Sequence, residues 1–267
     1  MTRQLPRLGL IGGSGMLGRA IAQAVLDQGV IAPNDLWIAN RSGRLSGLEH
    51  HPGVRVTTEL HPLVSSCDII LLAVPPAQAS AVRFKAGEAL VISVMAGVTV
   101  ERLSALTGTR RVVRAMSSPA AAQGLAYSPW FAEEDVTATD RGHVTTLFEA
   151  CGKTDAVPDE GQIDIFTALT GPVPGFVAYL ATCMTDYAIA RGIAPNIADR
   201  AVRQLFLASG QAMTLSEKTP AVHVDEMIAY AGTTATGLKV LRTSPLAAAL
   251  AQGLDAAVRK SREINRE

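Results

Sequence analysis

The stretch Leu8-Gly9-Leu10-Ile11-Gly12-Gly13-Ser14-Gly15-Met16-Leu17-Gly18 decides the reading of the chain. Its first four residues form a short run with strand character. Glycines then crowd a turn, and an alanine-rich helical pattern follows from Arg19 to about Gln28. Gly13, Gly15 and Gly18 fit the spacing G-x-G-x-x-G. At that spacing Gly13 permits a tight turn, Gly15 lets a pyrophosphate approach the backbone, and Gly18 lets the helix pack against the strand. Ser14, Met16 and Leu17 lie between these glycines, where the start of the helix offers free N–H groups and the positive end of its dipole to an anion. Glycine also marks ordinary βα turns. The flanking strand and helix, and a second strand beyond them, favour dinucleotide binding here.

That second strand is Leu36-Trp37-Ile38-Ala39, and Asn40-Arg41-Ser42 sits at its end. A cofactor without a 2′-phosphate meets Asp or Glu at this point, which binds the ribose hydroxyls. No acid stands here. Arg41 can pair with a phosphate, and Asn40 and Ser42 can donate hydrogen bonds. The alternative is an arginine on a solvated turn. With the glycine motif upstream, the residues favour NADP(H).

Further strands follow at Val54 to Val56, Cys67 to Val74, Ala89 to Val94 and Arg111 to Met116. The run Cys67 to Val74 is almost continuously apolar, as a strand buried on both faces requires. The turns beyond the carboxyl ends of such strands face the ligand of an open α/β sheet. This adds Ala73, Val74 and Pro75, then Ala96 and Gly97, to the candidate cofactor residues. Ala126 to Ser128 and Thr154 to Val157 are weaker strand candidates around a helix over about Ala138 to Cys151. Strands alternating with helices predict a mostly parallel, doubly wound sheet over residues 1–161.

From Gln162 onward strand signals almost vanish. Helical patterns run over Ile163 to Arg191, broken by Gly171-Pro172-Val173-Pro174-Gly175, then over Ile197 to Glu217 and Leu246 to Glu263. Ala231-Gly232-Thr233-Thr234 reads as a tight turn opening a short helix, with the threonines as capping candidates. Residues 162–267 thus read as an all-helical second domain, whose apolar surface predicts a homodimer.

Composition excludes several classes. Across 267 residues the formal net charge is zero, and aromatic residues make up 4%. A basic stripe and stacking platforms for nucleic acid are therefore missing. Cys67, Cys151 and Cys183 are far apart and odd in number, with neither metal nor disulfide spacing. No apolar run is long enough to span a bilayer, and the N-terminus lacks a signal core. The expectation is a cytoplasmic protein without a membrane partner. The five histidines show no metal-ligand spacing beyond the adjacent pair His50-His51. His223-Val224-Asp225-Glu226 reads as a solvated loop, and no Ser/His/Asp arrangement supports a hydrolase.

Taken in order, these pieces resemble the pyrroline-5-carboxylate reductase family over nearly the whole chain. The glycine loop and Asn40-Arg41-Ser42 carry the resemblance first. Leu72-Ala73-Val74-Pro75-Pro76, Ser93-Val94-Met95-Ala96-Gly97-Val98-Thr99 and Val113-Arg114-Ala115-Met116 continue it. In the helical half it rests on Ala168-Leu169-Thr170-Gly171-Pro172-Val173-Pro174-Gly175 and Gly232-Thr233-Thr234-Ala235-Thr236-Gly237-Leu238. The resemblance implies an NAD(P)H-dependent oxidoreductase with an N-terminal Rossmann domain. It also implies a helical domain that forms an intertwined dimer, often assembled further, with a cyclic imine bound near the interface. It makes Gly232, Thr233 and Thr234 substrate-binding residues and sets Thr234 beside the imine nitrogen.

The departures cluster in the same region. The family serine of the substrate turn falls at Ala229, its proline at Tyr230 and its first glycine at Ala231. The family lysine before Pro76 is Pro75, and the family's Met-Pro-Asn-Thr-Pro is shortened to Met116-Ser117-Ser118-Pro119. Reducing a C=N bond needs a hydride and a proton. A threonine hydroxyl can orient the nitrogen but is a poor acid, so water or the Tyr230 phenol supplies the proton. Two function classes stay open: a reductase of a small cyclic imine or carbonyl compound, and a non-catalytic dinucleotide-binding relative.

Overall fold

The structure is a computed structural model and describes residues 4–45, 47–171 and 174–264. Pro172 and Val173 of the quoted motif lie outside the described residues. The chain divides into two compact units. One comprises Met1–Val173 with Leu254–Glu267, the other Pro174–Gly253. Residues 162–169 and the last turns of the final helix, which the sequence assigns to the helical half, fall in the first unit.

In the first unit the elements are β1 (Leu8–Ile11), α1 (Met16–Asp27), β2 (Leu36–Ala39), β3 (Arg55–Thr57), α2 (Leu60–Ser66), β4 (Ile69–Leu72), β5 (Leu90–Ser93) and α3 (Val100–Thr107). They continue with β6 (Val112–Ala115), β7 (Ala126–Tyr127), β8 (Trp130–Ala132), α4 (Ala138–Cys151), β9 (Gly152–Lys153) and α5 (Gly161–Leu169). The sheet order is β3-β2-β1-β4-β5-β6-β8. All neighbours run parallel except β8, which pairs antiparallel with β6. The strand order reverses at β1 and β4, the switch point of a Rossmann sheet. Register aligns the carboxyl ends: Ile11 lies opposite both Ala39 and Leu72, and Leu72 lies opposite Ser93.

β1, β4, β5 and β6 are buried throughout, which explains their largely apolar runs, with Ser93 and Arg114 as buried exceptions. On one face Leu10, Leu71, Ile92 and Val113 pack with Ile21 and Val25 of α1 and Leu147 and Phe148 of α4. On the other, Ile70, Leu72 and Val91 pack with Leu63 of α2 and Leu103 of α3. α4 starts at a reciprocal cap: the Thr137 hydroxyl accepts from the Asp140 amide, and the Asp140 carboxylate accepts from the Thr137 amide.

One strand expectation changes, and one strand, β8, was not expected. The strand expected at Thr154 to Val157 is only an isolated bridge from Ala156 to Trp130. The paired residues come earlier, at β9, whose Gly152 (φ +145°) lies tight against the backbone of Ala126 in β7. β8 is only three residues long, too short to show a two-residue period.

The second unit holds α6 (Gly175–Ile189), α7 (Pro195–Leu215), α8 (Pro220–Ala229), α9 (Thr233–Thr243) and the start of α10 (Leu246–Ile264). Among its described residues only Ala198, Val202 and Ala235 are buried apolar side chains. Tyr179, Leu207, Leu215 and Val240 are exposed by 70%, 56%, 88% and 64%. His223 to Glu226, expected in a solvated loop, lies on α8. Thr219 caps that helix by accepting from the Val222 amide, and Pro220 occupies its first position.

Candidate functional site

A cleft of about 470 Å³ opens at the carboxyl ends of β1, β2, β3 and β4. Gly12, Ser14 and Gly15 line it after β1, Asn40 and Arg41 after β2, Thr58 after β3, and Ala73, Val74 and Pro75 after β4. A larger cleft, about 940 Å³, lies at the opposite strand ends, beside Asp68, Ala89 and Arg111. There Arg111 is already paired with Asp140 at 2.7 Å. The crevice of a doubly wound sheet lies at the carboxyl ends, so the smaller cleft is the candidate.

The glycines divide the work differently from the sequence expectation. Gly12, not Gly13, makes the tight turn. It has φ +92°, and a Cβ there would lie 2.8 Å from the Ala73 carbonyl carbon and oxygen. Gly13 is buried, and a Cβ on it would meet Ile38 and Leu10 side chains at 2.7 Å. Gly15 ends the turn as the N-cap of α1, with its amide donating to the Gly12 carbonyl at 3.0 Å. Gly18 holds the helix against the turn: a Cβ there would sit 2.5 Å from the Gly12 oxygen. α1 begins at Met16, three residues before the expected Arg19, so the amides of Met16, Leu17 and Gly18 form its first turn. Among the described residues no side chain caps this helix and no acid stands in its first turn. A cradle in which a Cβ would fill the turn, at an uncapped helix start, fits a pyrophosphate.

Around β2, Asn40 is buried and committed to its own turn. Its Oδ1 accepts from the Gly43 amide and the Ser42 hydroxyl, and its amide nitrogen donates to the Arg44 carbonyl. Asn40 and Ser42 therefore shape the loop, and Arg41 is the exposed cation on the cleft. Met16, Leu17, Gly13, Gly18 and Ser42 support the cradle without lining the cleft. Ala96 and Gly97 do not line it either. Gly97 (φ +71°) is buried beneath α10, where a Cβ would strike the Ser261 carbonyl and Ile264. Thr58, Leu60, Gln78, Ala81 and Val82 line the cleft and were not legible, because only the parallel register sets the end of β3 beside β2 and the end of β4 beside β1.

A buried charge cluster is centred on Arg114 of β6. Arg114, 2% exposed, bonds Glu160 at 3.1 Å and also Asp164. Asp164 accepts from the Ser261 hydroxyl of α10 at 2.8 Å, and Glu160 accepts from the Val100 amide at 2.8 Å. Burial pushes the Cys67 and Cys151 thiols up to about 12, so neither is a nucleophile.

In the second unit, Tyr230 ends α8, Ala231 takes φ +59°, and Gly232 is the N-cap of α9. Thr233 and Thr234 are the first two residues of α9 rather than its caps, and both are exposed. Gly232 packs beside the Tyr230 ring, which is 84% exposed. The turn thus presents a run of helix-start amides and two hydroxyls, a set suited to a carboxylate and a hydrogen-bond acceptor.

Comparison with known proteins follows both halves. A family described as "NADP oxidoreductase coenzyme F420-dependent" matches residues 7–97, and one described as "Pyrroline-5-carboxylate reductase dimerisation" matches residues 160–264. The pyrroline-5-carboxylate reductase of Synechocystis sp. is 27% identical, over 98% of this chain and 99% of its own. The pyrroline-5-carboxylate reductase structure from Coxiella burnetii is 25% identical, with a TM-score of 0.86 over 97% of this chain and 98% of that one. The Plasmodium falciparum pyrroline carboxylate reductase, solved with NADP bound, shares the fold at 22% identity and a TM-score of 0.82, over 98% and 99% of the two chains. The matches run from the glycine cradle through the last helix: the helical half matches the pyrroline-5-carboxylate reductase dimerisation family, and the chain is similar to pyrroline-5-carboxylate reductases over nearly its whole length.

Proposed function

We propose that this protein is an NADPH-dependent oxidoreductase that reduces the C=N bond of a small cyclic imine, pyrroline-5-carboxylate or a close relative, to a proline-like product. The observation that carries the reading is the end-to-end match to pyrroline-5-carboxylate reductases together with a glycine cradle at the sheet's switch point. Residues 1–161 hold the dinucleotide, and residues 162–267 supply the substrate turn and the dimer. Gly12, Ser14 and Gly15 with the first amides of α1 receive the pyrophosphate, Arg41 the 2′-phosphate, and Ala73, Val74 and Pro75 the remaining wall. The reduced nicotinamide, when bound, supplies the hydride.

The chain's own residues do the rest. The amides of Gly232, Thr233 and Thr234 hold the substrate carboxylate, because an unpaired anion in a closed pocket is costly. The Thr234 hydroxyl donates to the imine nitrogen and fixes its orientation. Water or the Tyr230 hydroxyl delivers the proton to that nitrogen. A homodimer through the helical unit accounts for its exposed apolar side chains, and the helices would then bury most of them against a second copy. No described helix is long and apolar enough to cross a membrane, and Cys67, Cys151 and Cys183 are all free thiols, which suits a cytoplasmic enzyme.

A specific substitution favours the relative over pyrroline-5-carboxylate itself. Ala229 stands where the family has the serine of its substrate turn, and an exposed phenol, Tyr230, follows it. Loss of one charged hydrogen bond costs about 1.5–3 kcal/mol, roughly ten- to a hundredfold in kcat/KM. NADPH oxidation should be followed with pyrroline-5-carboxylate and with cyclic imines whose acid group is displaced or absent. Turnover of at least one is expected, and Ala229→Ser should raise kcat/KM for pyrroline-5-carboxylate. Inertness toward every imine in the presence of bound NADPH would overturn the reductase reading.

A further inference from the structure

We propose that Asp27, His50 and His51 form a binding site for a divalent transition-metal ion, zinc foremost. The sequence hides the site, since the two histidines are adjacent and the carboxylate stands far from them, at the end of α1. The fold closes that gap. One ligand atom from each of the three residues lies within 4.8 Å of the other two. His51 Nε2 already stands 3.0 Å from Asp27 Oδ1, and the His50 and His51 rings lie with centroids 4.2 Å apart.

Two imidazole nitrogens and one carboxylate oxygen are the donor set that zinc accepts at about 2.0–2.2 Å, with water completing a tetrahedron. Such bond lengths require donors roughly 3.3 Å apart, so small side-chain rotations suffice. Nitrogen donors disfavour magnesium and calcium, which prefer oxygen. His51 is half-buried and Asp27 and His50 are exposed, so the ion would reach the site from solvent and keep a water ligand.

The position gives the ion a mechanical task. The loop from Asn40 to Gly53 begins with Arg41 on the cofactor cleft and is anchored midway by Leu48, which is 1% exposed. Its far end meets the body of the domain through the His51–Asp27 contact. A metal ion replacing that single hydrogen bond would staple the loop to the end of α1, whose other end carries the glycine cradle.

The test uses the untagged full-length protein and zinc chloride in calorimetric titration and thermal unfolding. One equivalent per chain is expected. Zinc well above its Kd should raise Tm by several degrees, whereas magnesium should not. Asp27→Asn and His50→Ala should each weaken zinc binding by about tenfold or more. His51→Gln can keep a hydrogen bond to Asp27 while ligating zinc poorly, so it separates loss of the metal from loss of the loop contact. Unsaturable uptake, or undiminished affinity in a His50→Ala/His51→Gln protein that still folds, would overturn the site and direct attention to another donor such as the exposed Cys183.

Discussion

Replacing Gly12 with alanine isolates the close approach that makes the cofactor cradle. Two costs add at this residue. Its φ of +92° is disfavoured for alanine, by about 1–2 kcal/mol in the left-handed region. The new Cβ would also lie 2.8 Å from backbone atoms of Ala73, which belong to the turn after β4 and cannot rotate away. Forcing an extra methyl into a packed site costs about 1–3 kcal/mol. Gly87 provides the control. It has φ +59°, but a Cβ there meets nothing within 4 Å, so Gly87→Ala incurs the first cost alone. Gly12→Ala should therefore unfold at a midpoint several degrees below Gly87→Ala, at about 2–4 °C per kcal/mol for a protein of this size class. Its NADPH affinity, read by fluorescence titration, should fall by at least tenfold, because the loop must move out of the crevice. Gly87→Ala should bind NADPH like the unmodified protein. Equal midpoints and equal affinities for the two variants would refute the close approach of β1 and β4 turns as the origin of the site.

Four further outcomes are expected. Arg41→Ala should weaken NADPH binding by about ten- to a hundredfold, the range for a lost charged hydrogen bond, and leave NADH nearly unchanged in parallel titrations. Ala231→Gly should raise Tm by one to a few degrees. It relieves a φ of +59° worth about 1–2 kcal/mol, partly offset by roughly 0.4–1 kcal/mol of added unfolded-state freedom, and a lowered Tm would contradict the turn geometry. Asp164→Ala should destabilise by about 1.5–3 kcal/mol in denaturant unfolding, since it removes one of the two carboxylates paired with the buried Arg114 guanidinium and leaves Glu160 as the other. Burial alone would raise the Asp140 carboxyl, but hydrogen bonds from Arg111 and Thr137 outweigh it and hold the group below the usual carboxylate range. A depressed folded value means that its stabilisation is present above the unfolded value and is lost as pH falls through the folded one. Unfolding scans below about pH 4 should accordingly show a shallower acid-side loss for Asp140→Asn than for the unmodified protein.

The sheet was legible because strands buried on both faces must be mostly apolar, and β1, β4, β5 and β6 are, with Ser93 and Arg114 the buried exceptions in β5 and β6. The cleft was half legible. Residues next to a strand end, such as Arg41 and Ala73 to Pro75, follow from the crevice rule. Thr58 and Gln78 depend on register, which no local pattern encodes. Gly13 was mistaken for the turn because its spacing fits the motif equally well, whereas backbone φ singles out Gly12. Gly97 and Ala96 sit at a strand end like the others, yet α10 covers Gly97 from a distance of more than a hundred and sixty residues in sequence. α8 escaped notice because its residues are mostly exposed and its apolar period is weak, although Thr219-Pro220 is a legible helix start.

The return of α10 to the first unit has a consequence for how the chain is made. The dinucleotide-binding unit is discontinuous: the helical unit is spliced into it between α5 and Leu254. Ser261 completes the shell around Asp164 and Arg114, and Ile264 covers Gly97. A ribosome extruding the chain from its amino end thus releases the sheet long before the segment that seals it. Until the final turns emerge, a nascent sheet must hold Arg114 with only Glu160 and Asp164 and leave the Gly97 turn uncovered. Expression of residues 1–161 alone would freeze the protein at that unfinished stage, without even Asp164. The natural excisable piece is the spliced-in unit, and the natural breakpoint lies at its two junctions, not at the end of the last strand.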